Sequence, residues 1–163
     1  MARSDMFLKL AGSKTGTVAG ESSDRVFSGQ IDIVDWSWSA AAPSAIGGGR
    51  AGRMQFGELK IVKRMDKAST AMMSIANANE ILKECVLTVR KSGGAEALPY
   101  CVVTLTGGRI VRFELQSSFA DGAPVVVESY GLAFTQVQIE YTAQDPTGGR
   151  TGSTVFAATT VAS

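Results

Sequence analysis

Gly47-Gly48-Gly49-Arg50-Ala51-Gly52 has the G-x-G-x-x-G spacing that can cradle a pyrophosphate. That chemistry needs a helix immediately after the glycines, whose N-terminus holds the anion. The next residues, Met54 to Ile61, read as strand instead, so the motif is expected to be a loop. Asp32 and Asp35 could suggest paired carboxylates, but strand parity puts them on opposite faces. Lys60, Lys63, Arg64 and Lys67 form a small basic cluster, expected on a solvated edge or at a subunit contact. The chain has two cysteines, Cys85 and Cys101, and no histidine. Lack of histidine removes Ser-His and Cys-His nucleophile pairs and His-ligated zinc. Two thiols alone cannot close a structural zinc site. Folding their strands about Ser92-Gly93-Gly94 does not bring them opposite each other, so both are expected as small buried hydrophobes without a disulfide. Catalysis, metal binding and a cofactor are therefore not expected.

The elements that would position these residues are mostly strands. Met6, Leu8 and Leu10 alternate with Phe7 and Lys9, and Val137, Ile139 and Tyr141 alternate with Gln136, Gln138 and Glu140. Val111, Phe113 and Leu115 alternate with Arg112, Glu114 and Gln116, the cleanest half-buried pattern in the chain. Strands are expected near 5–11, 25–39, 54–64, 80–91, 98–106, 109–117, 124–130 and 131–142. Thr106-Gly107-Gly108-Arg109 signals a tight hairpin, and Asp121-Gly122 a looser reversal. Hydrophobic parity switches between Ile33 and Val34 and again across Gly57, which predicts bulges or sharp bends. The segment from Asp66 to Ala76 reads as a short helix, capped by Asp66 or Ser69, with Met72, Met73, Ile75 and Ala76 as its packing stripe. Many bent strands and one helix predict a mainly β fold, a barrel or closed sandwich. Residues 40–53 and the Gly/Thr/Ala-rich end look like loops, with Val155, Phe156 and Val161 as possible anchors in the latter.

Both tryptophans lie in Ile31-Asp32-Ile33-Val34-Asp35-Trp36-Ser37-Trp38-Ser39. In a strand Trp36 and Trp38 share one face, while Asp35, Ser37 and Ser39 share the other. Each indole buries on the order of 150–250 Å², more than a small barrel easily hides twice on one strand. The pair is expected in the core and partly at a subunit seam.

The 163 residues suffice for one domain with a real core. Sixteen basic residues face 15 acidic ones, which offers no footprint for nucleic acid and no polybasic membrane anchor. The start lacks the apolar region of a secretory signal, and no apolar run approaches the ~18 residues of a membrane span. A cytoplasmic protein is expected, exported only by a route without a cleaved signal.

Five blocks stand out together: Asp5-Met6-Phe7-Leu8-Lys9-Leu10, the stretch Gln30 to Trp38, Met65-Asp66-Lys67-Ala68-Ser69, Leu87 to Gly94, and Leu132 to Tyr141. Together they resemble the hemolysin-coregulated proteins (Hcp), the tube subunits of bacterial type VI secretion. The order and spacing match along roughly residues 5–145. The resemblance implies an Hcp-like domain over 1–145, a small closed β-barrel of two packed sheets with one flanking helix, and leaves 146–163 as a C-terminal tail too short for a fused toxin. It implies a hexameric ring that stacks into a tube, expelled by a contractile sheath and carrying effector proteins. Partners would be further copies of the chain, effectors, the tip spike and the sheath, with export to the extracellular space or a target cell. On that reading Asp35, Ser37 and Ser39 face the lumen, and Trp36 and Trp38 form core and seam. Ser44, Ile46, Arg50 and Arg53 lie on a loop that touches the next ring. A phage-like tail-tube protein and a monomeric ligand-binding barrel are the alternatives.

Overall fold

The computed structural model describes residues 5–43, 52–91, 98–144 and 150–160. In chain order the strands are β1 (Met6–Gly12), β2 (Gly16–Thr17), β3 (Ile31–Asp32), β4 (Asp35–Ser37), β5 (Ala40–Ala41), β6 (Gln55–Phe56) and β7 (Leu59–Arg64). Helix α1 (Ser69–Asn77) comes next. Then come β8 (Leu82–Arg90), β9 (Pro99–Thr106), β10 (Arg109–Ala120), β11 (Ala123–Ala133), β12 (Gln136–Gln144) and β13 (Arg150–Thr159). The fold is mainly β. A seven-stranded sheet runs β13-β12-β9-β8-β1-β2, with β3 also on β1, and a four-stranded sheet runs β10-β11-β7-β4. A third, two-stranded ladder pairs β5 with β6. The two large sheets enclose one apolar core that includes Leu8, Leu10, Ile31, Leu59, Ile61, Leu87 and Leu132, joined by Met72 and Ile75 of α1.

The parity switch at Ile33-Val34 is more than a bend. The Ile33 amide donates to Met6 in the seven-stranded sheet, and the Val34 amide donates to Val62 in the four-stranded one. The expected strand over 25–39 is therefore corrected. Residues 25–30 form turns and bends, and the rest holds only β3 and β4, with β5 beginning just past it. The expected hairpin at Thr106-Gly107-Gly108-Arg109 is corrected as well. β9 and β10 belong to different sheets, so this turn is a second corner between layers, with Gly107 at φ 64°. The true tight hairpin is Asp121-Gly122. Both residues have positive φ, 53° and 76°, and Ala120 pairs with Ala123 across a two-residue turn. The break expected near 130/131 lies at Phe134-Thr135, between β11 and β12. Gly57 and Glu58 do separate β6 from β7.

The C-terminal stretch read as loop contains β13, which extends the seven-stranded sheet beyond β12. Helix α1 has Ala68 at its N-cap position and no side-chain cap, contrary to the expected caps. Asp66 instead accepts from the Ala68 amide, and Ser69 Oγ accepts from the Asp66 amide, which shapes the turn that enters the helix. Met72 and Ile75 are buried, with Ala71 and Ala76 packed against the core. Cys101 lies opposite Val89 while Cys85 lies opposite Leu10, and both thiols are free. Cys101 is half-buried rather than buried.

Two charged clusters pin the layers. Arg90 bonds Asp5 and Asp24 and sits over the stacked rings of Phe7 and Phe27, 5.0 and 5.8 Å from their centroids. This holds the irregular segment around Asp24 to β1 and β8. The second cluster corrects the basic patch. Lys63 is fully buried, because it alternates with Lys60 and Arg64 and shares the inner face with Leu59 and Ile61. Its ammonium donates to Glu128 Oε1 at 3.0 Å, Ser69 Oγ at 2.9 Å and the Arg64 carbonyl at 3.1 Å, and pairs with Asp66 at 2.9 Å. The Tyr130 hydroxyl donates to Glu128 Oε1 at 2.7 Å. Burial alone would push the Glu128 carboxyl up, but the Ser69 and Tyr130 hydroxyls and Lys63 together hold it below the usual range. One knot thus ties β7, β11 and the start of α1.

Candidate functional site

The four-stranded sheet has two unlike faces. Its inner face carries Ile61, Tyr130 and Leu132, all buried. Its outer face is set by the register. Asp35 pairs with Val62, Val62 with Ser129, and Ser129 with Glu114. Ser37 pairs with Lys60, Lys60 with Gly131, and Gly131 with Arg112. A third row joins Arg64, Val127 and Gln116. Rows on one face repeat every two residues, roughly 6.6 Å apart. The first two rows, Gly131 excepted, line a half-open depression.

This face is polar without being strongly charged. Asp35, Glu58 and Glu114 balance Lys60, Arg64 and Arg112. The Arg112 Nη2 donates to Glu58 Oε2 at 2.9 Å. Gly131 makes room for that pair, because a Cβ there would stand 2.1 Å from Glu58 Oε2 and 3.1 Å from Arg112 Nη2. The pair therefore lies flat against the sheet. Solvated, mutually compensated charges of this kind attract a passing surface weakly.

Asp35, Ser37 and Ser39 are all exposed, and Asp35 and Ser37 lie on this face. Trp36 and Trp38 are half-buried and pack against the core. Trp38 stacks on Phe56 at 5.6 Å and meets Phe134 and Phe156 at 6.1 and 6.5 Å, and its Nε1 donates to the Gly57 carbonyl. Arg53 is exposed, while Ser44, Ile46 and Arg50 fall outside the described residues. Asp32 and Asp35 are parted by the corner, one in each sheet. Burial, and then the charge of Asp66, raise the Asp32 carboxyl.

Sequence reasoning missed Lys60, Arg112, Glu114, Ser129 and Gly131 as members of this face. The alternation of Arg112, Glu114 and Gln116 was visible, but only strand pairing places it beside Asp35 and Ser37. It also read Val111, Phe113 and Leu115 as half-buried. They are 51%, 43% and 46% exposed on β10, the edge strand of its sheet.

The family described as type VI secretion system effector, Hcp, matches residues 7–141. The chain belongs to the Hcp family. Protein hcp1 of Pseudomonas aeruginosa is 30% identical over 154 residues, which span 93% of this chain and 91% of the relative. Two solved structures share the fold. A type six secretion system protein superposes with a TM-score of 0.77 at 22% identity, covering 91% of each chain. A type VI secretion system effector from Yersinia pestis gives 0.74 at 21% identity, covering 96% of this chain and all of that one. The chain is thus an Hcp tube subunit of type VI secretion, a structural and secreted component. No helix among the described residues is long and apolar enough to cross a membrane.

Proposed function

We propose that this Hcp chain closes into a hexameric ring whose lumen is walled by the outer face of the four-stranded sheet. Rings stack into the tube, and effector proteins pass along that wall. The observation that carries this reading is the contrast between the two faces. One is buried core, and the other is exposed, charge-balanced and flattened by Gly131. A conducting wall needs weak, reversible contacts, which balanced charges and serine hydroxyls supply.

In this reading the two large sheets form a flattened barrel. Its support is the three corners, at Ile33-Val34, Gly107-Gly108 and Phe134-Thr135, where the chain passes from one sheet to the other. Asp35 and Ser37 stand at the β4 edge of the wall, with Ser39 just beyond. Trp36 and Trp38 brace that edge from behind. Ser44, Ile46, Arg50 and Arg53 belong to the loop that reaches the next ring. The tip spike and the sheath are the further partners. The protein is made in the cytoplasm, leaves by type VI secretion and performs no catalysis.

The test is Ser37→Gln in the full chain, with light scattering for the ring and co-purification for effectors. The ring is expected to keep its mass, while effector recovery falls at least severalfold. Unchanged recovery would remove the lumen assignment.

A further inference from the structure

The chain between β2 and β3 folds back on itself. The Gly20 amide donates to the Gly29 carbonyl at 2.8 Å, the Gly29 amide to the Ser22 carbonyl at 2.9 Å, and the Ser22 amide to the Gln30 carbonyl at 3.0 Å. These bonds hold the two ends of a compact surface loop together, which is the form of an Ω-loop. The Asp24 carboxylate shapes its interior by accepting from the Val26 and Phe27 amides. The loop lies on the face of the seven-stranded sheet that turns away from the core. Phe7 is buried there under the ring of Phe27 and stands outside the core cluster. Midway along the loop, Arg25 and Val26 point to solvent, Val26 at 72% exposure.

Asp32 sits beneath this loop. It pairs with Phe7 across β3 and β1, and directly opposed residues share a face. The Ser22 hydroxyl of the loop is hydrogen-bonded to its carboxyl. Three further carboxylates, Asp66, Asp24 and Glu21, act on it by charge, and each already has its own partner. Asp66 pairs with Lys63 at 2.9 Å, Asp24 with Arg90, and Glu21 Oε2 accepts from the Lys67 amide at 3.3 Å. Arg90 is shared in turn with Asp5. Arg25 and Lys67 are exposed, and no cation among the described residues pairs with Asp32. Burial, then the charges of Asp66, Asp24 and Glu21, raise the Asp32 carboxyl above its ordinary 3.8. Two residues earlier, Gln30 Oε1 is buried and has no hydrogen-bond partner among the described residues. A carboxylate cannot serve that oxygen, because both only accept, whereas a carboxylic acid can donate to it. Residues two apart along an extended chain are roughly 6.6 Å apart, within reach of a glutamine side chain.

We propose that this loop is an acid-tightened latch. When Asp32 takes a proton from water, its carboxyl stops repelling Asp66, Asp24 and Glu21 and donates to Gln30 Oε1, which closes the loop onto β1 and β3. The latch governs how firmly Arg25 and Val26 are presented on the face away from the core. The sign follows from linkage. For a carboxyl raised by the closed loop, the gain in closure is complete below the ordinary 3.8 and is lost as pH rises through the raised value. Asp24 works in the opposite sense and lower on the pH scale. The Arg90 guanidinium and the loop amides hold it below 3.8, so its contribution is lost only as pH falls beneath that value. Mild acid therefore tightens the loop before strong acid releases it.

Hydrogen exchange in the full chain tests this, read by mass spectrometry on peptides covering residues 19–29 and corrected for the intrinsic pH dependence of exchange. Wild-type loop protection is expected to rise severalfold from pH 7.5 to pH 5.0, while peptides of β12 change little. Asp32→Asn carries a donor without the charge. It should be as protected at pH 7.5 as wild type is at pH 5.0, with no further rise. Gln30→Leu removes the acceptor and should keep only the part of the rise that comes from relieved repulsion. If a variant fails to fold, the Asp32 carboxyl carbon is titrated by NMR in wild type, with a midpoint expected above 3.8. Loop protection that is flat or falls toward pH 5.0, a rise that persists in Asp32→Asn, an undiminished rise in Gln30→Leu, or a midpoint at or below 3.8 would overturn the latch. The latch belongs to the single chain, so its failure leaves the ring reading intact.

Discussion

Removing Lys63 probes how the wall is held in place. Lys63→Met keeps most of the side-chain volume and deletes the ammonium. Glu128, itself fully buried, then loses its counter-charge, keeping only the Tyr130 and Ser69 hydroxyls. Breaking one side of a buried pair costs about 3–5 kcal/mol, because the remaining charge is uncompensated. Lys63 also serves Ser69, Asp66 and the Arg64 carbonyl, so the upper half of that range is expected. The double variant Lys63→Met/Glu128→Leu removes the stranded carboxylate and should recover about half the loss or more. Acid supplies a second arm. The folded Glu128 carboxyl lies below its ordinary value of 4.5, so its stabilising contribution is full above that value and is lost as pH falls through the folded pKa. In Lys63→Met the same buried carboxyl destabilises when ionised. The gap between wild type and variant is therefore widest near neutrality. It begins to narrow above the unfolded value of 4.5, as the variant's carboxyl takes up its proton, and narrows further below it as the wild-type contribution is lost. The assay is urea unfolding at one fixed protein concentration, since assembly adds to apparent stability. A loss under 1 kcal/mol, or a gap that does not narrow in acid, would refute the account of the knot.

Further substitutions test other parts of the structure. Gly20→Ala should cost several kcal/mol by urea unfolding, since its Cβ would stand 2.3 Å from the Gln30 carbonyl oxygen and 2.6 Å from Ile31 Cα, both backbone. Gly122→Ala meets no neighbour within 4 Å but must hold φ near 76°, so a loss of only about 1 kcal/mol is expected. Gly131→Ala should displace the exposed Glu58–Arg112 pair at a cost below about 1 kcal/mol, read by the same unfolding assay. Cys85, whose thiol is pushed up to about 12 by burial, should resist a thiol reagent at pH 8 until the protein unfolds, while half-buried Cys101 reacts sooner.

Local pattern was enough for some of this. Alternation placed Trp36 and Trp38 opposite Asp35 and Ser37, because side-chain direction in a strand depends only on parity. A short helix was legible from spacing, read over 66–76 and found over Ser69–Asn77, with its Met72 and Ile75 contacts. What stayed hidden depended on which strands are neighbours. Lys63 looks like one cation among four until pairing sets it beside Glu128, 65 residues away. Thr106-Gly107-Gly108-Arg109 has the composition of a hairpin, yet the chain crosses to another sheet there, since a glycine permits either turn. Val111, Phe113 and Leu115 alternate like a core strand, yet on the edge strand β10 each stays about half exposed. The sequence by itself determined which face is apolar in strands such as β10 and β12, because side-chain direction alternates with parity. The tertiary structure alone decided which faces meet, because register and sheet order come from long-range closure that no local pattern encodes.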